Sequence, residues 1–291
     1  MLLNSAISHQ FTIRPASFED RDVLSELINK QRYLLRHLDW RSPFDWLGTD
    51  LFFILEGDKK PLAALACIAE PVSVAWIRFF CVVDGIDVQL AWDMLFKQAK
   101  IAFSNSSTSC IAALGMQDWM VSALERWSFI YKQAIVVLEW SGEFPQSPDL
   151  KSVCDIRLAN TNDLSNIVDI DFQAFDPLWQ NPFEAIKKAQ SQAAYFTVAV
   201  KDEKVVGYQL STAILGTAHL ARLAVLPAMQ TKGIGKTLVM DMIKYFNQNG
   251  IHNITVNTQN DNVASLTLYN KIGFKMLDEQ VPVFVYTLAD E

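Results

Sequence analysis

The chain has 291 residues, 51% of them apolar, and a formal net charge of −7. That length suits two domains of roughly 100–200 residues better than one core, and the apolar content excludes an intrinsically disordered chain. The acidic balance, with no basic run, argues against a nucleic-acid partner or an anionic membrane surface, which are held by clustered Lys and Arg. Cys67, Cys81, Cys110 and Cys154 are scattered with no CxxC spacing and read as buried reduced thiols, and no metal-ligating pattern is present. The N-terminus, MLLNSAISHQ, lacks the basic and apolar segments of a signal peptide. No apolar run approaches the ~18 residues of a membrane span, so a cytoplasmic protein is expected.

In chain order, Phe11 to Pro15 predicts a short strand, and Ser17 caps a helix with Leu24, Leu27 and Ile28 on its apolar face. Leu51 to Leu55 and Leu62 to Ile68 flank a Gly-Asp-Lys-Lys-Pro turn and predict a hairpin. Val74 to Val83 is a strand, Val88 to Phe103 a helix, Ser109 to Leu114 a strand, Asp118 to Trp127 a helix and Gln133 to Trp140 a strand. The eight tryptophans are concentrated in this half, seven of them from Trp40 to Trp140, and read as core. SGEFPQSPDLKS, residues 141–152, reads as a linker between a domain of residues 1–140 and one of residues 153–291.

The second half repeats the order. Ile156-Arg157 opens a strand, Thr161 or Asn162 caps a helix through Phe172, and Asn181-Pro182 starts another. Tyr195 to Val200 and Val205 to Thr212 form a hairpin. Ala218 to Leu226 is a strand, followed by a glycine-rich turn and a helix to Asn247. Ile251 to Thr258 is a strand, Asn262 caps a helix to Lys271, and Phe284 to Leu288 closes the chain. Arg14 and Arg157 lie 143 apart, Arg78 and Arg222 lie 144 apart, and Phe129 and Phe274 lie 145 apart, as two copies of one domain would place them. The order predicts an α/β (α+β) fold, each copy a mixed, mostly antiparallel sheet flanked by helices.

The stretch LAVLPAMQTKGIGKT, Leu223 to Thr237, carries the chemistry. Glycines without Cβ let a ligand approach the main chain, and a helix N-terminus presents unpaired N–H groups with positive partial charge. Together they seat an anion, most often a phosphate. A nucleotide-binding P-loop, GxxxxGK[ST], requires glycine where this chain has Gln230.

Gln230, Gly233 and Gly235 instead fit Q/R-x-x-G-x-G/A, and NVASLTLYNKIGF, Asn262 to Phe274, fits N-x-x-A-x-x-L-Y-x-x-x-G-F. In that order and spacing, residues 154–289 resemble the GNAT superfamily of N-acetyltransferases. Residues 11–140 resemble a degenerate copy, giving two tandem GNAT-like domains. The resemblance implies acetyl-CoA as donor, its pyrophosphate on the backbone of Thr231, Lys232, Gly233, Ile234, Gly235 and Lys236, and its pantetheine arm along Leu223, Ala224 and Val225. Lys232 and Lys236 would neutralise phosphate, and Asn262 would contact the CoA arm besides capping its helix. Tyr269 stands where the family has its general acid, and His219 where some members have a base. Members that acetylate protein N-termini use a glutamate twelve residues before the tyrosine; Asn257 stands there and speaks against that acceptor.

By the same resemblance the acceptor side is the segment holding Phe175, Asp176 and Trp179, with Asp171 or Asp176 holding a cationic amine, either a small molecule or a peptide. In the first copy the glycines are replaced by Gln89 and Ala91, and Asp84 and Asp87 would repel a pyrophosphate, so that copy is expected to keep the fold and lose the donor. A non-catalytic acyl-CoA-binding regulatory module is the alternative reading. The sequence specifies no oligomeric state.

Overall fold

The computed structural model of the chain describes residues 11–37, 40–144 and 153–288. It divides into two compact units: Met1–Ile130 with Phe284–Glu291, and Tyr131–Val283. No helix among the described residues is long and apolar enough to cross a membrane.

The first unit runs β1 (Phe11–Pro15), α1 (Arg21–Lys30), β2 (Gln31–Arg36), β3 (Phe52–Gly57), β4 (Lys60–Ala69), β5 (Val74–Val83), α2 (Val88–Phe103), β6 (Cys110–Leu114) and α3 (Asp118–Arg126). β1, β3, β4 and β5 pair antiparallel in that order, and β5 pairs parallel with β6. Strands β3 to β5 are buried almost continuously because both faces are covered. One face packs on α2 and α3, where the Trp92 and Trp127 rings stack at 3.9 Å. The other packs on Leu24 and Leu27 of α1 and on Trp46.

The second unit runs β7 (Ile130–Ser141), β8 (Asp155–Leu158), α4 (Leu164–Ala174), α5 (Phe183–Gln192), β9 (Tyr195–Lys201), β10 (Lys204–Ile214), β11 (Thr217–Val225), α6 (Ile234–Gln248), β12 (Asn253–Gln259), α7 (Val263–Ile272) and β13 (Lys275–Thr287), whose residues from Phe284 onward belong to the first unit. β8, β9, β10 and β11 pair antiparallel, β11 pairs parallel with β12, and β12 pairs antiparallel with β7. α6 buries Ile234, Leu238, Val239, Met242, Ile243 and Phe246, a helical stripe against the sheet. Each unit opens on the same device. Arg14 grips Asp20 through two 2.7 Å hydrogen bonds, and Arg157 grips Asp163 through another two of 2.7 Å. Both carboxylates also accept from the backbone N–H three residues earlier, Ser17 and Asn160.

Several expectations change. The cap of the helix after β8 falls on Asn160, whose side chain accepts from Asn162 N–H, and not on Thr161 or Asn162. β2 was not legible, since QRYLLR shows no clean alternation. The compact units depart from the sequence halves at 140 and 153. Ile135–Ser141 pairs with Gln259–Asn253 of the second unit, while Phe284 lies in the first unit's core with Tyr286 and Leu288 against it. Hydrophobic alternation identifies a strand without naming its neighbour. Residues 145–152 of the expected linker lie outside the described residues.

Candidate active site

The site forms where two strands part. β11 and β12 pair from Thr217↔Asn253 to Leu220↔Val256 and no further, although β11 runs on to Val225 and β12 to Gln259. A bulge on β11 accompanies the parting: the register with β10 moves from Leu210↔Arg222 to Ser211↔Leu220, leaving Ala221 over. Among the described residues the edge of β11 that faced β12 is therefore unpaired at Ala221–Val225, the condition under which an extended group adds as a further strand.

β11 delivers the chain into the glycine turn. Gln230 Nε2 donates to Val225 O at 3.0 Å and ties the turn to the strand end. Gly233 is left-handed, φ +88°, and its carbonyl receives the first bond of α6, from Thr237 N–H at 3.0 Å. The preceding first-turn amides of Ile234, Gly235 and Lys236 therefore lie ahead of that bond. A Cβ on Gly235 would stand 3.4 Å from Leu268 of α7, an ordinary contact, so the packing of α7 on α6 would admit a small side chain there. Lys232 folds back, its ammonium 2.9 Å from Ala228 O, whereas Lys236 is exposed.

Tyr269 on α7 is 3% exposed and packs against Phe274, and its hydroxyl has no hydrogen-bond partner among the described residues. Burial raises its pKa above the usual phenol range, so it stays protonated. His219 lies on the paired part of β11, its Nδ1 2.8 Å from Thr255 Oγ1 of β12. Burial lowers its pKa, so the neutral imidazole is favoured.

Phe175, Asp176, Trp179 and Asn262 line one cavity of about 290 Å³, together with Gln133, Ala174, Gln259 and Asp261. Neither His219 nor Tyr269 is among its lining residues. Asn262 accepts from Ser265 N–H at 3.1 Å as the cap of α7 and donates to Gln259. Asp171 is not open to an amine. It is fully buried, takes two 2.8 Å bonds from Arg222, and accepts further from the Tyr208 hydroxyl and Asn181 N–H. Arg222 also donates to Trp179 O and lies over the Phe175 ring, 3.6 Å from its centroid. This ion pair pins the cavity wall to the strand that carries Leu223. The sequence showed Arg222 as a repeat marker and Gln133 as part of a strand; a charged residue inside an otherwise apolar strand was the available signal for the first.

In the first unit the corresponding places are filled by the chain itself. At an offset of 144, Leu223–Val225 correspond to Phe79–Cys81. β5 pairs with β6 only at Val74–Trp76, and β2 pairs antiparallel with Phe79–Val83 on the edge opposite β4. At the start of α2 the Asp87 carboxylate accepts from Leu90 N–H at 2.8 Å, and Gln89 accepts from Trp127 Nε1 at 2.7 Å.

Residues 163–274 match the model of the Acetyltransferase (GNAT) family. The match falls within the second unit and supports an acyltransferase. The chain is 27% identical over 116 residues to [ribosomal protein bS18]-alanine N-acetyltransferase of Haemophilus influenzae, covering 40% of this chain and 77% of that protein. It shares its fold with a tandem GNAT protein from the clavulanic acid biosynthesis pathway, TM-score 0.63 at 12% identity over 97% of this chain and 100% of that one. A GCN5-related N-acetyltransferase from Sphaerobacter thermophilus gives 0.62 at 13% identity over 96% of both chains. The likeness in fold therefore extends over both GNAT-like halves.

Proposed function

We propose that the protein moves an acetyl group from acetyl-CoA directly to a primary amine, using one site in the second unit. The observation that carries this reading is the unpaired edge of β11 at Ala221–Val225, set beside the glycine turn that starts α6. An extended pantetheine arm finds backbone partners at Leu223, Ala224 and Val225, and its pyrophosphate finds the amides of Thr231 to Lys236. Lys236 is free to approach a phosphate, and Lys232 must leave Ala228 to do so.

In the transfer the amine nitrogen attacks the thioester carbonyl, the new C–N bond forms, and the C–S bond breaks. The amine gives up a proton and the departing thiolate takes one. Tyr269, protonated through its burial, is assigned as the donor to sulfur. His219, neutral through its burial, is assigned as the proton acceptor, reaching the amine through water since it does not line the acceptor cavity. Phe175 and Trp179 wall the acceptor, and Asp176 attracts its cationic form. The strand β2 and the Asp87 cap in the first unit support a single donor site per chain.

The test is thermal unfolding against rising acetyl-CoA. Donor at 100 times its dissociation constant adds roughly 2.7 kcal/mol, and the rise should vanish in Gly233→Asp. A folded protein with no saturable rise overturns the reading.

A further inference from the structure

His219 lies directly opposite Thr255 in the parallel ladder of β11 and β12, and its Nδ1 is 2.8 Å from the Thr255 hydroxyl oxygen. That hydroxyl has a second neighbour on β11, the carbonyl oxygen of Ala218 at 3.5 Å. A hydroxyl carries one proton and can accept as well as donate, whereas a carbonyl only accepts. Two arrangements of the protons follow. If Thr255 donates to Ala218 O, its oxygen accepts the proton of Nδ1, and both contacts are hydrogen bonds. If Thr255 donates to Nδ1 instead, one bond is made and two oxygen lone pairs face each other across the other contact. The first arrangement makes two bonds from the same three groups, and the interior of a protein favours it for that reason.

The tautomer decides what His219 can do. A neutral imidazole has one N–H and one lone pair, and the hydrogen bond at one nitrogen sets which of them the other presents. Nε2 makes no hydrogen bond among the described residues, and it is not one of the buried side-chain atoms enclosed without a partner, so it is the nitrogen that water reaches. Resting on the acyl-transfer reading above, we infer that Thr255 is a positioning residue that holds His219 as the Nδ1–H tautomer, so that Nε2 presents the lone pair that takes the proton. The proton released by the amine passes through water to Nε2. The imidazolium keeps its Nδ1–H bond to Thr255, and the threonine neither gains nor loses a proton. The opposite tautomer would turn an N–H toward the water and make His219 a donor there.

Nitrogen-15 NMR of the full chain, labelled at histidine and without any ligand, tests this. The chain has four histidines, and the His219 signals are those that vanish in His219→Asn. At pH 8, above the ordinary histidine pKa of 6.5, the wild type should show a protonated Nδ1 and an unprotonated Nε2 at this residue. Thr255→Val has nearly the same shape without the hydroxyl. It should move the tautomer ratio about tenfold toward Nε2–H, as for the loss of one hydrogen bond. Thr255→Ser restores the hydroxyl and should hold the wild-type ratio. A wild type in the Nε2–H form overturns the inference without any variant. So does a ratio unchanged in Thr255→Val, and so does one that moves as far in Thr255→Ser as in Thr255→Val. Because neither donor nor acceptor is present, a missing thermal response to acetyl-CoA in the same preparation counts against the acyl-transfer reading and leaves the tautomer assignment standing.

Discussion

Two residues set the chemistry expected of the site, and burial shifts them in opposite senses. His219 is held below its ordinary pKa of 6.5 because water is scarce around it. The folded protein thus favours the neutral imidazole, and stability is fully present above pH 6.5 and declines as the pH falls below it. If His219 takes the proton, kcat/KM should stay level from pH 8 to 7 and fall only on the acid side. In His219→Asn that acid limb should disappear and the melting temperature should depend less on pH between 6.5 and 5. Tyr269 is shifted upward by burial and remains a donor throughout this range. Tyr269→Phe should lower kcat by roughly 10²-fold, the scale of one acid catalyst, with the thermal response to acetyl-CoA unchanged; equal turnover would remove Tyr269 from the role. At Gly233 the conformation itself is restrictive. With φ at +88°, Gly233→Ala should cost about 1 kcal/mol of stability, visible as a small drop in melting temperature even without ligand.

Between elements, the buried Asp171–Arg222 pair is the fastening that counts. It joins α4 to β11, and through Trp179 O and the Phe175 ring it fixes the cavity wall. Arg222→Met would leave Asp171 charged and without its main partner in a dry interior. That loss is worth about 3–5 kcal/mol, or a fall on the order of 10 °C in melting temperature. A second change, Asp171→Leu, should recover part of the fall because it removes the stranded charge. Most elements were legible from periodicity and caps, as Asn262 illustrates. β2 was not, because a strand held by pairing to an edge needs no alternating face.

For the whole molecule, the composition of the compact units makes a prediction about fragments. A piece beginning at residue 153 lacks β7, so β12 loses the partner of Asn253–Gln259 and the core loses Val136, Leu138 and Trp140. That piece should be insoluble or unfolded by circular dichroism, whereas one beginning at residue 131 should fold. With β2 lying along β5 and Asp87 capping α2, calorimetry should find one acetyl-CoA per chain. Two would show that the first unit keeps a working site.

The sequence by itself determined the repeat, the glycine turn, the cap at Asn262 and the family resemblance, because these rest on residue type and short spacing. Tyr269, Gln230 and Asn262 could be placed for the same reason. Tertiary structure alone decided that β11 and β12 part after Leu220, that β2 fills the matching gap in the first unit, and that β7 serves the second. It also decided that Asp171 is spent on Arg222. Pairing partners and the satisfaction of buried polar groups are set by residues distant in the chain, and no local pattern encodes them.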